Sequence, residues 1–249
     1  MGTTSLARLG DGREVIVKQT PYPAEAEADG LRALARAGVP VPRVLGAAGT
    51  TLVLELLGSG LPPPTDSHWA ALGRAVAAMH QVTDDRYGWH RDNYAGRFPQ
   101  PNPWHEHWPT FFVEHRVLTH LDDPALPVEL RRRIQRACDG PLPKRLPDRP
   151  MPSLTHGDLW RGNVIAGRWI IDPEVSFADR ELDLAYMRMS ASLPFPPAFW
   201  RSYVEILPFP DGYAERQPIL ELHHRLLQVR HFGDTQLPPL QELLATQGW

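Results

Sequence analysis

The sequence predicts an α+β chain of two unequal parts, a small strand-rich first part with one helix and a larger, mostly helical second part. Three observations predict it. Short apolar runs separated by turn residues fill the first 57 residues. A stretch rich in Gly, Ser and Pro, GSGLPPPTDS, follows at 58–67. Beyond it, apolar residues recur at helical spacing. The expected division is therefore an N-terminal lobe over 1–57 and a C-terminal lobe over 58–249.

Each element has a local reason. LARL and EVIVK flank the turn GDG, which reads as a hairpin over 6–18. AEAEADGLRALARAG is rich in Ala, Leu and Glu and ends at Gly38 before the breaker VPVP, so it reads as a helix. RVLGAA and TLVLELL read as two further strands. HWAALGRAVAAMHQV places Trp69, Leu72, Val76 and Met79 on one helical face. WPTFFVEHRVLTHL and PVELRRRIQRAC are also helical patterns. Between the first of these and Asp84 runs a long loop, 84–107, rich in Trp, Asn, Pro and His, and loops of that length tend to carry function. GNVIAGRWIID reads as two short strands joined near Gly167, and DRELDLAYMRMSA as a helix with an acidic start. Helical patterns follow near 197–207, 213–232 and 238–246.

Composition excludes several classes. With 42% hydrophobic and 22% charged residues, the chain has the material for a globular core. A net charge of −3 gives no general electrostatic case for nucleic acid or an anionic membrane. Cys138 is the sole cysteine, which excludes an internal disulfide framework and a thiolate metal cluster and fits a reducing compartment. The start, MGTTSLARLGDGREVIVK, lacks an apolar core of signal-peptide length, and no run approaches the ~18 apolar residues of a membrane span. A cytoplasmic location is expected.

The chemistry concentrates in LTHGDLWRGNVI, 154–165. Asp158 and Asn163 are five residues apart, the step of a kinase catalytic loop, where the Asp accepts a hydroxyl proton and the Asn holds magnesium. Asp172 follows nine residues later at the end of WII, where a carboxylate can hold a metal that bridges phosphates. Each of the three alone would pass as a turn residue. Together, at these intervals and between apolar strands, they form a set. Lys18 adds to it. It ends the strand EVIVK, and of the 26 basic residues only Lys18 and Lys144 are lysines. A lysine there can reach nucleotide phosphates, with Glu27 the first candidate for its acidic partner and Glu25 the second. The backbone near Glu55 to Leu57, where TLVLELL runs into the Gly-rich stretch, would face an adenine ring.

These segments resemble the fructosamine kinase (ketosamine-3-kinase) family, within the protein-kinase-like and aminoglycoside-phosphotransferase-like fold. HGDLWRGN resembles its catalytic loop, including Trp160. IDPEVSFADRELDLAYM resembles its metal-binding segment and the next helix, EAEADGLRAL its small-lobe helix, and YGWHRDNYAGRFPQPN a loop typical of this family. The resemblance implies a bilobal kinase fold and ATP-dependent phosphorylation of a sugar hydroxyl of a ketosamine. It implies Asp158 as base, Asn163 and Asp172 on Mg2+, Lys18 with Glu27 on the ATP phosphates, and His156 as support for the loop. Trp160, Trp89, Asp92 and Asn93 are the candidates for the acceptor pocket. Asp179, Arg180, Glu181 and Asp183 are expected on its far wall, or Asp183 behind the catalytic loop. The family carries a further strand and a glycine-containing loop before its lysine. Two expectations follow: MGTTS is a contracted remnant of that loop, with a short lid over the phosphates, or the true start lies upstream. No cysteine lies in that region, so no thiol switch is expected, and Cys138 reads as structural. Two other readings are a kinase for an aminoglycoside- or choline-like hydroxyl, and a nucleotide-binding protein of weak activity.

Overall fold

The computed structural model describes residues 2–58, 60–189 and 192–249. Strands β1 (Thr3–Arg8) and β2 (Glu14–Gln19) form the hairpin around GDG. Helix α1 (Glu25–Arg36) then crosses to β3 (Val44–Ala48) and β4 (Thr51–Glu55). The four strands make one antiparallel sheet in the order β1-β2-β4-β3. Thr3, Thr4 and Ser5, expected as part of a contracted lid, instead pair with Gln19, Lys18 and Val17 as the edge of this sheet. The turn over Leu9–Arg13 sets the hairpin register, and the ladder continues through these polar, exposed residues.

Helix α1 serves two cores. Ala24, Ala28 and Leu31 pack with Leu52 and Leu54 of β4. Ala33 and Leu34 pack with Trp69, Trp89, Leu154 and Val175 from later in the chain. Its apolar residues therefore cover more than the single stripe of a surface helix.

Helix α2 (Asp66–His80) follows, and the expected long loop 84–107 proves to be partly regular. It holds a hairpin of β5 (Asn93–Ala95) and β6 (Phe98–Gln100). The backbone pair Tyr87–His105 closes its ends, and the pair Gly88–Phe177 ties it to a later segment of the chain. Few of these positions alternate in polarity, so the pairing left little trace in the sequence. Next come α3 (Trp108–Phe112), which widens into a π-helical turn over Val113–Val117, then α4 (Val128–Asp139) and α5 (Pro141–Lys144). Trp108, Phe111 and Phe112 are fully buried in one core with residues of the C-terminal helices.

Strand β7 (Pro152–Thr155) leads into the catalytic-loop motif, and β8 (Val164–Ile165) and β9 (Trp169–Ile170) form the expected hairpin. β10 (Ser176–Asp179) then pairs antiparallel with β7, a pairing the sequence reading did not anticipate. Helix α6 (Glu181–Met189) follows, and the last two residues of its expected span, Ser190 and Ala191, lie outside the described residues. Helices α7 (Pro197–Ile206), α8 (Tyr213–Phe232) and α9 (Leu237–Thr246) complete the fold near their expected bounds. α2 crosses α7 at Gly73, where a Cβ would lie 2.3 Å from the Phe199 carbonyl oxygen. Among the described residues no helix is long and apolar enough to cross a membrane.

Candidate active site

The β7–β10 pair explains why Asp158, Asn163 and Asp172 come together. Thr155 faces Ser176 in this ladder, so the 20 residues between them form a loop closed at its base. The start of that loop is held from behind. Asp183 of α6 accepts the backbone N–H of His156 at 2.7 Å and that of Gly157 at 2.9 Å. His80 lies 3.2 Å from the same carboxylate, and these bonds hold the Asp183 carboxyl below its usual range against the cost of burial. Gly157 has φ +85, and a Cβ there would lie 2.4 Å from the Glu174 carbonyl oxygen, so only glycine fits the turn. His156 is fully buried, its ring nitrogens 3.1 Å from Asp158 N and 3.1 Å from Ile171 O.

Asp158 is fixed next. Asn163 Nδ2 donates to its carboxylate at 2.7 Å and to its carbonyl oxygen at 2.9 Å. Burial pushes the Asp158 carboxyl up to about 7, with the charge of Asp172 adding and the Asn163 hydrogen bond opposing. Trp160 is half-buried, its indole lying directly over Gly162.

Lys18 joins the two parts of the chain. Its Nζ donates to Glu27 Oε1 at 2.8 Å and to Asp172 Oδ1, 154 residues away, at 2.8 Å. Burial works against the ammonium, but the two carboxylates outweigh it and hold Lys18 above the usual lysine range. Asp172 has φ +58, a left-handed conformation that Asp tolerates better than most residues. Its side chain is 45% exposed, so it faces the cleft while holding Lys18. Glu25 pairs instead with Arg32 at 2.5 Å. Glu55 ends β4 and accepts the Arg43 N–H at 2.8 Å, and Leu57 lies just beyond in the connection to α2. Asn163 and Asp172 offer a carboxamide and a carboxylate, the hard oxygen donors that magnesium takes, so the residues present fit such an ion.

The loop candidates are engaged by the protein itself. Trp89 is buried, and its Nε1 donates to Asp29 on α1 at 2.8 Å. Asp92 accepts the Asn102 N–H at 2.8 Å. Asn93 is buried, donates to Val175 O at 2.8 Å and accepts from Gln100 at 2.9 Å. Trp89 and Asp92 do line an open cavity of about 560 Å³ with His90, Asn102 and Trp104. The far-wall candidates turn away from it. Glu181 binds Arg216, Asp179 accepts the N–H of Glu181, and Arg180 donates to Pro208 O and Tyr203.

Sequence reasoning missed four residues here. Asp29 receives Trp89 and also lies 3.1 Å from His90 Nε2. Tyr22 donates to Glu27 at 3.1 Å and stacks on Tyr94 of β5 with centroids 4.6 Å apart. Glu174 is buried and accepts the Gly96 N–H at 3.1 Å, and burial pushes its carboxyl well up. Arg116 is buried and ties Asn102 to Ser176, at 2.6 and 3.2 Å. Each acts through a partner far away in sequence, so only the Glu within IDPEV carried any local signal.

Comparison with known proteins agrees with this geometry. A probable ketoamine kinase of Escherichia coli K12, YniA, is 35% identical over 226 residues, covering 88% of this chain and 78% of that protein. A crystal structure from Thermobifida fusca, provisionally named a fructosamine-3-kinase, superposes with a TM-score of 0.86 at 32% identity, covering 98% of this chain and 88% of that one. A choline/ethanolamine kinase family protein of Mesorhizobium loti shares the fold alone, with a TM-score of 0.61 at 19% identity over 97% of this chain and 88% of that one. The fold is therefore the bilobal, protein-kinase-like one. The family model for fructosamine kinases matches residues 16–247, and the chain belongs to that family.

Proposed function

We propose that this chain is an ATP-dependent kinase that phosphorylates a sugar hydroxyl of ketosamines of the fructosamine or ribulosamine type, a deglycation step. The observation that carries it is the meeting of Lys18 with Asp172 at 2.8 Å across 154 residues, beside the buried Asp158–Asn163 pair. In this reading Lys18 serves the phosphates and Asp158 the acceptor hydroxyl of one cleft. The relatives named ketoamine kinases support the acceptor class, and a single buried thiol suits the cytoplasm.

Each residue then has a task. Lys18, charged and held by Glu27, binds and neutralises the ATP phosphates. The connection from Glu55 to Leu57 faces the adenine. Asn163 and Asp172 would hold Mg2+, which would supply charge neutralisation of the transferring phosphoryl group. Asp158 takes the proton of the acceptor hydroxyl as its oxygen bonds to the γ-phosphorus and the bond to the β–γ bridging oxygen breaks, releasing ADP. A carboxylate poised at about 7 suits a base at neutral pH. Trp160 offers a flat wall to the sugar, while Trp89, Asp92 and Asn93 shape the loop that borders the acceptor.

The test is ATP consumption with ribulose-lysine, fructose-lysine and an aminoglycoside offered in parallel. Turnover on a ketosamine alone is expected. Turnover on the aminoglycoside alone would replace the acceptor class, and nucleotide binding without turnover on any acceptor would replace the kinase reading.

A further inference from the structure

Two imidazoles meet at the foot of the loop 84–107, outside the cleft. His105 Nε2 and His115 Nε2 lie 2.9 Å apart, and Glu114 Oε2 lies 3.7 Å from His115 Nε2. The three ligand atoms are all within 4.8 Å of one another. None of these side chains serves the phosphoryl-transfer site.

The fold holds the pair in place. His105 exchanges two backbone hydrogen bonds with Tyr87, both 2.9 Å, so its position is fixed by the loop's closing pair. Glu114 and His115 sit in the π-helical turn that follows α3. Such widened turns recur at functional sites, because they re-aim neighbouring side chains that a regular helix separates by ~100°. Both imidazoles also pack near Phe111, with ring centroids 6.0 and 5.6 Å away. Arg116, the next residue, lies over the same Phe111 ring, 4.5 Å from its centroid, and is itself held by Pro101 O, His115 O, Asn102 and Ser176. Burial, then the neighbouring His105 and Arg116, lower the His115 pKa from the ordinary imidazole range.

We propose that His105, His115 and Glu114 form a transition-metal site of zinc type, with an open fourth position for water. Two imidazole nitrogens and one carboxylate are a common zinc ligand set, and nitrogen donors select against magnesium. In the absence of metal the two rings share one proton between their Nε2 atoms. Metal binding turns both Nε2 lone pairs to the ion and leaves each neutral ring with its proton on Nδ1. The ion would cross-link His105 of the loop to the helix and stiffen the base of the segment that carries Trp89.

The inference does not depend on the kinase reading. The test is Zn2+ titration of the full chain against a chromophoric chelator, with unfolding temperature followed alongside. One equivalent is expected to bind and raise the unfolding temperature. His115→Gln and Glu114→Gln, each checked for native circular dichroism, are expected to weaken it about tenfold or more. Asp172→Asn, in the cleft, and His107→Ala, an exposed histidine beside Asp148, are expected to leave it unchanged. Millimolar Mg2+ is expected not to compete. Equal affinity in His115→Gln and the wild type would overturn the site. So would loss of the equivalent in Asp172→Asn, which would place the ion among the cleft carboxylates.

Discussion

Trp89 and Asp29 are joined by a 2.8 Å hydrogen bond that ties the loop after α2 to the helix bearing Glu27. Around it, His90 reaches the same carboxylate, Arg91 donates to the Glu25 carbonyl at 2.9 Å, and Tyr94 stacks on Tyr22. Glu27 is two residues from Asp29, so the loop sets where Glu27 stands relative to Lys18. The C-terminal part of the chain thereby aligns a charge pair in the N-terminal part.

Asp29→Ala is expected to free α1 on that side. Loss of a hydrogen bond to a charged, partly buried group should cost about 1–3 kcal/mol in denaturant unfolding. KM for ATP should rise more than kcat falls, because Lys18 loses alignment while Asp158 does not. Asp29→Asn keeps an oxygen acceptor for Trp89 and should recover most of the affinity. Steady-state kinetics with ATP varied would read this split.

Lys18→Met is expected to lower kcat/KM for ATP by ~100-fold or more, since it removes a preorganised cation and leaves Glu27 facing Asp172. Lys18→Arg should not rescue it. A planar guanidinium cannot fill the point-charge geometry that places Nζ 2.8 Å from both carboxylates.

Asp158 gives two pH effects of opposite consequence. As a base it must be ionised, so kcat/KM should rise with pH and reach half its plateau near 7. Stability runs the other way. Its carboxyl pKa is raised on folding from the ordinary 3.8 to about 7, so the native chain binds more protons than the unfolded chain between those values. The slope of stability with pH is then negative, and the group destabilises the fold increasingly as pH climbs toward 7. Asp158→Asn, without nucleotide or divalent cation, is expected to melt higher than wild type at pH 8 and to lose that advantage near pH 4.

Gly73→Ala tests the helix crossing that supports the catalytic anchor, since α2 carries His80 and α7 carries Tyr203, 2.9 Å apart. A Cβ at 2.3 Å from Phe199 O must push the helices apart, at a cost of about 1–3 kcal/mol in unfolding free energy. An unchanged unfolding midpoint would show that the crossing relaxes freely.

How much of this was legible follows from how local each signal is. The elements of the small sheet, α1 and the C-terminal helices could be read because turn residues and apolar periodicity are properties of neighbouring residues. Lys18, Glu27, Asp158, Asn163 and Asp172 could be read as a set because their spacing is short or their residue type is rare in this chain. The β7–β10 pairing and the hairpin within 84–107 could not, because their partners are fixed by tertiary contacts rather than by alternation. Trp89 illustrates the limit. Its type points to a wall for a sugar, but its hydrogen bond to Asp29, 60 residues away, has no local signal in the sequence. Glu174 and Arg116 were invisible for the same reason, since burial of a charged group depends on partners the local sequence does not contain.

The most direct measurement is phosphoryl transfer from γ-labelled ATP to ribulose-lysine by wild type and Asp158→Asn, with nucleotide binding followed on the same samples. Binding by both proteins, with transfer lowered ~100-fold or more in the variant, is the expected result for a general base. Equal transfer by the two would contradict the assignment of Asp158 and with it the arrangement of the site around Lys18, Asn163 and Asp172.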